Sequence, residues 1–199
     1  MRDDEALRRV AAAQDGLLTR AQVLECGGTD EWIEAQVTAR RWLALHRKVY
    51  KITTGLLSLR QEERAALLCA GPAAALSHAS AARRWGLRPQ GGDVHITVPY
   101  GKSADRRPGV VIHRSRAFAH IVVDELDLPT VSAADTCVDL AVLAPDARSA
   151  MRLLLHAALG MKVSAAQVAA VLERRPPPRR VRAFPCPSTG THARDVSRT

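Results

Sequence analysis

The chain has 199 residues, of which 47% are hydrophobic and 25% charged, and a formal net charge of +9. That length allows one compact domain or two small ones. Apolar runs such as 65–70 and 73–76 stop far short of the roughly 18 residues of a membrane span, and the opening MRDDEALRRV lacks a signal-peptide core, so the expectation is a cytoplasmic protein without membrane partners.

The first elements read as helices. Leu7, Val10 and Ala11 share one face of a helix over 3–15, which Gly16 ends. Thr19 is placed to cap a short helix, RAQVLEC, stopped by Gly27 and Gly28. Thr29 caps a third, DEWIEAQVTARR, with Ile33 and Val37 on one face. WLALHRKVYKI then alternates as a β-hairpin turning near Arg47 and Lys48. Three short helices and a hairpin describe a winged helix-turn-helix, although many three-helix domains share this spacing without touching DNA.

Thr53–Leu57 reads as a linker. Ser58 caps LRQEERAALLCAG, whose Glu62 and Glu63 suit the positive end of the helix dipole. Ser77 caps HASAARRWGL, with Trp85 as a core anchor and Gly86 as a stop. GGDVHITVPYG and PGVVIHRS read as strands, HIVVDELDLPTVS as one or two more. Helices follow over AADTCVDLAVLA (capped by Ser132, with Asp135 three residues on), 146–159 and 164–173. Residues 173–199 hold 7 basic and 2 acidic side chains, more than half of the net charge. The proline-rich ending has no hydrophobic periodicity and reads as disordered. The preceding chain is only mildly basic, so charge alone does not make it a nucleic-acid binder.

The expected fold is therefore α+β. A winged helix-turn-helix covers 1–56, a small mixed α/β domain with a short sheet covers 57–173, and a disordered basic tail covers 174–199.

Catalytic readings of the polar residues are weak. Ser77 and His78 are adjacent and would point apart, and no G-x-S-x-G elbow is present. One of Arg83 and Arg84 would face solvent, where it could meet phosphate. Among the seven histidines none pairs at i, i+3 or i, i+4; His95 and His113 could meet across neighbouring strands, but without a carboxylate partner they make a poor metal site, and none is expected. Cys26, Cys69, Cys137 and Cys186 form no C-x-x-C pair and read as incidental thiols. Asp135 and Asp139 lie four apart and read as a cap and a paired side chain rather than an acid–base couple. No cofactor and no catalytic step are expected. The DNA candidates are Thr29, Trp32, Gln36, Arg40, Arg41, Arg47, Lys48 and Lys51. Thr29 suits a phosphate at a helix N-terminus, Gln36 suits an adenine edge, and the arginines and lysines suit phosphates, as does His46 beside them. A merely solvated basic face is the bland alternative.

Seven stretches in order carry a family resemblance: TRAQV at 19–23, IEAQVTARRWL at 33–43, HRKVY at 46–50, LSHASAARRWGL at 76–87, VHITVPYG at 94–101, VVIHRS at 110–115 and PTVSAADTCVDLA at 129–141. Together they resemble the AbiEi-type antitoxin family over about residues 5–172. The resemblance implies a winged helix that binds operator double-stranded DNA to repress its own operon, and a following domain that counters a nucleotidyltransferase-like toxin in a type IV toxin–antitoxin system; winged helices often bind DNA as a homodimer, although no dimer heptad is present. Actinobacterial relatives often continue into a very-short-patch-repair-like endonuclease domain, which is not expected in these 199 residues. The chain departs from the family pattern at Arg41, Trp42 and Lys48, and its third helix carries Asp30, Glu31 and Glu34. A truncated non-catalytic relic of the nuclease-fused proteins and a protein-interaction module using the winged helix are the alternatives.

Overall fold

A computed structural model of the chain describes residues 2–87, 92–102, 107–123, 125–160 and 163–175. The expectation of a disordered tail lies outside these residues from 176 onward. The described chain is α+β, with two small sheets and helices around them.

Helix α1 (Asp4–Ala13) starts where the Asp3 carboxylate accepts from the Ala6 amide, and it buries Leu7 and Ala11 one turn apart. It stops before the expected end because Asp15 and Gly16 both take positive φ, 56° and 80°. That reversal feeds strand β1 (Leu17–Thr19), a three-residue strand too short to show as periodicity. Thr19 caps α2 (Arg20–Glu25) in a reciprocal capping box with Gln22. Gly27, at φ 79°, turns the chain towards Thr29, which caps α3 (Asp30–Thr38) by accepting from the Trp32 amide. Helix α3 ends three residues earlier than its sequence predicts. Arg40 adopts φ 55°, and the Arg41 and Trp42 amides both turn back to the Gln36 carbonyl.

Strands β2 (Leu43–His46) and β3 (Val49–Lys51) form the expected hairpin, with Lys48 at φ 66° in its turn. With β1 they make an antiparallel sheet in the order β1-β3-β2. A register shift between Ala44 and His46 interrupts the strict alternation. Leu7, Ala11, Leu18, Val23 and Ile33 are the buried core of this part, with Trp32, Trp42 and Tyr50 packed against it. The two tryptophan rings meet edge to face at 5.0 Å, the arrangement their quadrupoles favour.

Helix α4 (Leu59–Ala70) opens with a capping box between Ser58 and Gln61. Its buried stripe faces two ways. Ala65 packs with Leu17 and Val49 of the first sheet, while Ala66 and Leu67 pack under Leu76, Val94, Ile96 and Val98 of the second. Asp15 adds a polar tie, accepting from Arg60 at 2.8 Å and from Arg64. The linker therefore joins two parts that share one helix as a wall.

The second sheet is mixed, in the order β6-β5-β4-β8-β7. It comprises β4 (Ala75–Leu76), β5 (Val94–Pro99), β6 (Val110–Ser115), β7 (Val122–Val123) and β8 (Thr130–Val131). Strand pairs β5/β6 and β4/β8 are parallel. Strand β4 and the one-turn α6 (Phe118–Ile121) add to the elements read from sequence. Helices α5 (His78–Arg84), α7 (Ala133–Leu143), α8 (Ala147–Leu159) and α9 (Ala165–Arg174) open on the expected cap positions. They enclose Ala82, Leu87, Cys137, Ala157 and Val163, with Trp85 against them. The Trp85 indole N–H donates to the Val131 carbonyl at 2.8 Å, which fixes the end of α5 to β8.

Candidate nucleic-acid interface and a histidine cluster

The eight DNA candidates separate into two groups. Arg40, Arg41, Arg47 and Lys48 are exposed, the first two beyond the end of α3 and the others at the hairpin tip. Thr29 is exposed, but its hydroxyl is engaged as the α3 cap. Of the remaining three, Lys51 and Gln36 are corrections. Lys51 is only 2% exposed, and its Nζ donates to the carbonyls of Gly55 (2.6 Å) and Thr54 (3.4 Å). It lies on the central strand, flanked by Leu17 and Leu43, and cannot reach a phosphate. Gln36 is buried, and its Oε1 accepts from Arg41 Nε at 2.8 Å; it shapes the end of α3 and does not offer an adenine-reading edge. Trp32 is half-buried in the aromatic cluster, with the Arg2 guanidinium 4.1 Å above its ring. His46 is half-buried, lining a hollow with Leu57, Ala65 and Val110, and burial, then the Arg107 charge, lowers its pKa.

The carboxylates of α3 are partly neutralised. Asp30 receives a two-pronged ion pair from Arg20, with Nε to Oδ1 at 2.6 Å, and that pairing holds its carboxyl below the usual range. Glu31 is held low by its own backbone amide and by the Thr29 hydroxyl. Glu31, Glu34, Ala35 and Thr38 form the outward face of α3. Arg20 escaped the sequence reading because a ten-residue separation from Asp30 carries no local signal. Only the fold brings the starts of α2 and α3 together.

Two further polar clusters are structural. Glu63, read from sequence as an early-turn carboxylate suited to the helix dipole, is 2% exposed and pairs with both Arg83 and Arg84, the latter at 2.9 Å. Neither arginine is therefore the solvent-facing phosphate contact that the sequence allowed. Asp135 accepts from Ser132, Arg174 and Arg175, and Asp139 from Arg175 at 2.7 Å. Burial pushes the Asp139 carboxyl up against the pull of Arg175. Asp139 is the paired side chain expected, whereas Asp135, expected as a cap, is held by Arg174 and Arg175 while Ser132 caps the helix.

The histidines hold the larger surprise. His95 and His113 sit two residues out of direct register on the parallel pair β5/β6, so they share a face. His95 Nδ1 lies 3.1 Å from His113 Nε2. His78 stacks on His113, centroids 3.5 Å apart and planes 14° from parallel. It reaches that place because its backbone takes φ 47° at the β4–α5 junction. The same conformation brings His78 Nδ1 to 3.1 Å from Ser77 Oγ. Ser77 occupies the N-cap position but makes no side-chain capping bond. The expectation that Ser77 and His78 point apart is thus overturned, because left-handed backbone at a histidine is not legible in sequence. Burial, with help from neighbouring positive charge, pushes His78 down to about 3 and His113 to about 4, and lowers His95. Each shift favours the neutral form of its ring.

No protein-family model and no curated protein matches the chain significantly. Among solved structures, the chain is similar to the crystal structure of the RV2827C protein from Mycobacterium tuberculosis, with 19% identity and a TM-score of 0.56, over 88% of this chain and 73% of that one. No helix among the described residues is long and apolar enough to cross a membrane. At this identity the similarity speaks for the fold, a shared arrangement across most of the chain.

Proposed function

We propose that the chain is a DNA-binding regulator whose first 56 residues act as a winged helix-turn-helix. The observation that carries this reading is the element order α1-β1-α2-α3-β2-β3 with the sheet order β1-β3-β2. It sets a capped helix pair, α2 and α3, beside a hairpin, which is the arrangement that docks a helix in a major groove and a wing on the flanking backbone. Exposed Arg40, Arg41, Arg47 and Lys48 supply phosphate-neutralising charge at the end of α3 and at the wing tip. The Arg20–Asp30 pair removes one carboxylate from the approach to DNA. Contacts of this kind position the protein; Glu34 at the outward face is the side chain available to accept from a cytosine amine. No catalytic step belongs to this reading.

The finer reading is antitoxin-like: binding of the protein's own operator, with residues 57–173 engaging a nucleotidyltransferase-like toxin. It rests on the sequence resemblance alone. The test of the DNA reading is a gel-shift titration on DNA upstream of the gene at several salt concentrations. Arg47→Ala with Lys48→Ala should lower the slope of log K against log salt by about 1.8, at about 0.9 per lost phosphate contact. Absence of wild-type binding at low salt would sink the regulator reading. For the antitoxin role, co-purification of the chain with a toxin encoded beside it is the expected result.

A further inference from the structure

We propose that His78, His95 and His113 form a binding site for a divalent transition-metal cation of the zinc type. Their nitrogen atoms, one from each ring, all lie within 4.8 Å of one another. In a tetrahedral zinc site with Zn–N bonds of about 2.0–2.1 Å, ligand nitrogens stand about 3.3 Å apart. The His95–His113 separation of 3.1 Å is already of that order.

Three independent elements supply the donors. The β5/β6 register places two imidazoles on one face, and the strand-to-helix junction places the third over them. A non-glycine residue at φ 47° holds strained left-handed backbone, and here that backbone aims the ring into the cluster. Neutral imidazole is the ligating form, and all three rings are buried or half-buried. Ser77 Oγ on His78 Nδ1 leaves Nε2 as the ligand atom and fixes the ring, the usual outer-shell arrangement. His95 and His113 are half-buried, so solvent can reach an open coordination position.

The rings as they stand are stacked and hydrogen-bonded, and parallel planes do not converge on one point. Loading therefore replaces the hydrogen bond between His95 and His113 by two bonds to the ion, each ring presenting an unprotonated nitrogen, and rotates the rings out of parallel. Three groups set the local field. Arg83 and Arg175 lie where they disfavour positive charge on His95 and His78, and Asp93 lies where it favours it on His95.

The experiment uses the full chain after chelator treatment. Equilibrium dialysis with Zn2+ should give one ion per chain. Co2+ should give the visible absorption of a tetrahedral nitrogen site, without thiolate charge-transfer bands. His95→Ala and His113→Ala should each weaken binding at least tenfold, whereas His120→Ala should leave it unchanged. If an alanine variant does not fold, imidazole NMR of the wild type decides, with Zn2+ shifting the signals of these three histidines and no others. Lack of stoichiometric binding at micromolar Zn2+, thiolate bands, binding that survives both substitutions, or NMR shifts confined to other histidines would each overturn the proposal.

Discussion

Replacing Lys51 by methionine tests whether the basic residues of the hairpin divide as the structure places them. Methionine keeps the length of the buried stem and removes the Nζ donor. Two carbonyls, of Gly55 and Thr54, then lose their partner, the first a 2.6 Å bond. A hydrogen bond from a charged group contributes about 1.5–3 kcal/mol, and part of the loss is the cost of leaving the acceptor unmet. Methionine's easier burial offsets some of this, so the expected cost is about 2 kcal/mol. For a chain of this size that lowers Tm by about 4–8 °C. Lys48→Gln is the counterpart. It removes an exposed charge from the turn, with a stability change within about 0.5 kcal/mol. In salt-dependent binding to DNA the roles reverse. Lys48→Gln should lower the slope of log K against log salt by about 0.9, and Lys51→Met should leave it unchanged. Thermal unfolding and the salt titration, run on both variants, read the two effects separately. A Lys51→Met protein of wild-type Tm whose salt slope falls by about one would refute the placement of Lys51 inside the sheet.

Other consequences are as direct. Burial of the Asp15 carboxyl raises its pKa, but its bonds to Arg60 and Arg64 outweigh this and hold it below the ordinary value. The stability from this pair is therefore complete above the unfolded pKa, near 4, and is lost as pH falls through the folded value. Asp15→Asn, tolerated at φ 56°, should be less stable than wild type at pH 7, with the gap narrowing as pH falls below the unfolded pKa; a gap that does not narrow on acidification would contradict the pairing. Trp85→Phe removes the indole donor to Val131 while keeping most of the ring volume, and should cost about 1–3 kcal/mol in denaturant unfolding. Arg20→Ala frees the Asp30 carboxylate and should weaken DNA binding, and Asp30→Asn added to it should restore most of the loss; an unimproved double variant would show that the pair does not screen the interface.

Local chemistry decided much of the architecture. Thr19, Thr29, Ser58, Ser132, Asp146 and Ser164 each start the helix their position predicts, because a short side-chain oxygen can satisfy an orphan amide two or three residues on. Alternation placed β5, β6 and the hairpin, and exposed Arg47 and Lys48 at its tip were legible as such. What the chain order could not show depends on partners distant in sequence or on backbone sign. Lys51 and Glu63 look like surface charges, yet one meets carbonyls beyond its strand and the other two arginines on another helix. The two-residue strand β4 forms only because β5 and β8 lie on either side of it. The opening serine and histidine of α5 follow the same division. Sequence determined that a helix begins there; tertiary structure decided, through a left-handed histidine and two parallel strands, that the ring of His78 stacks on His113 beside His95.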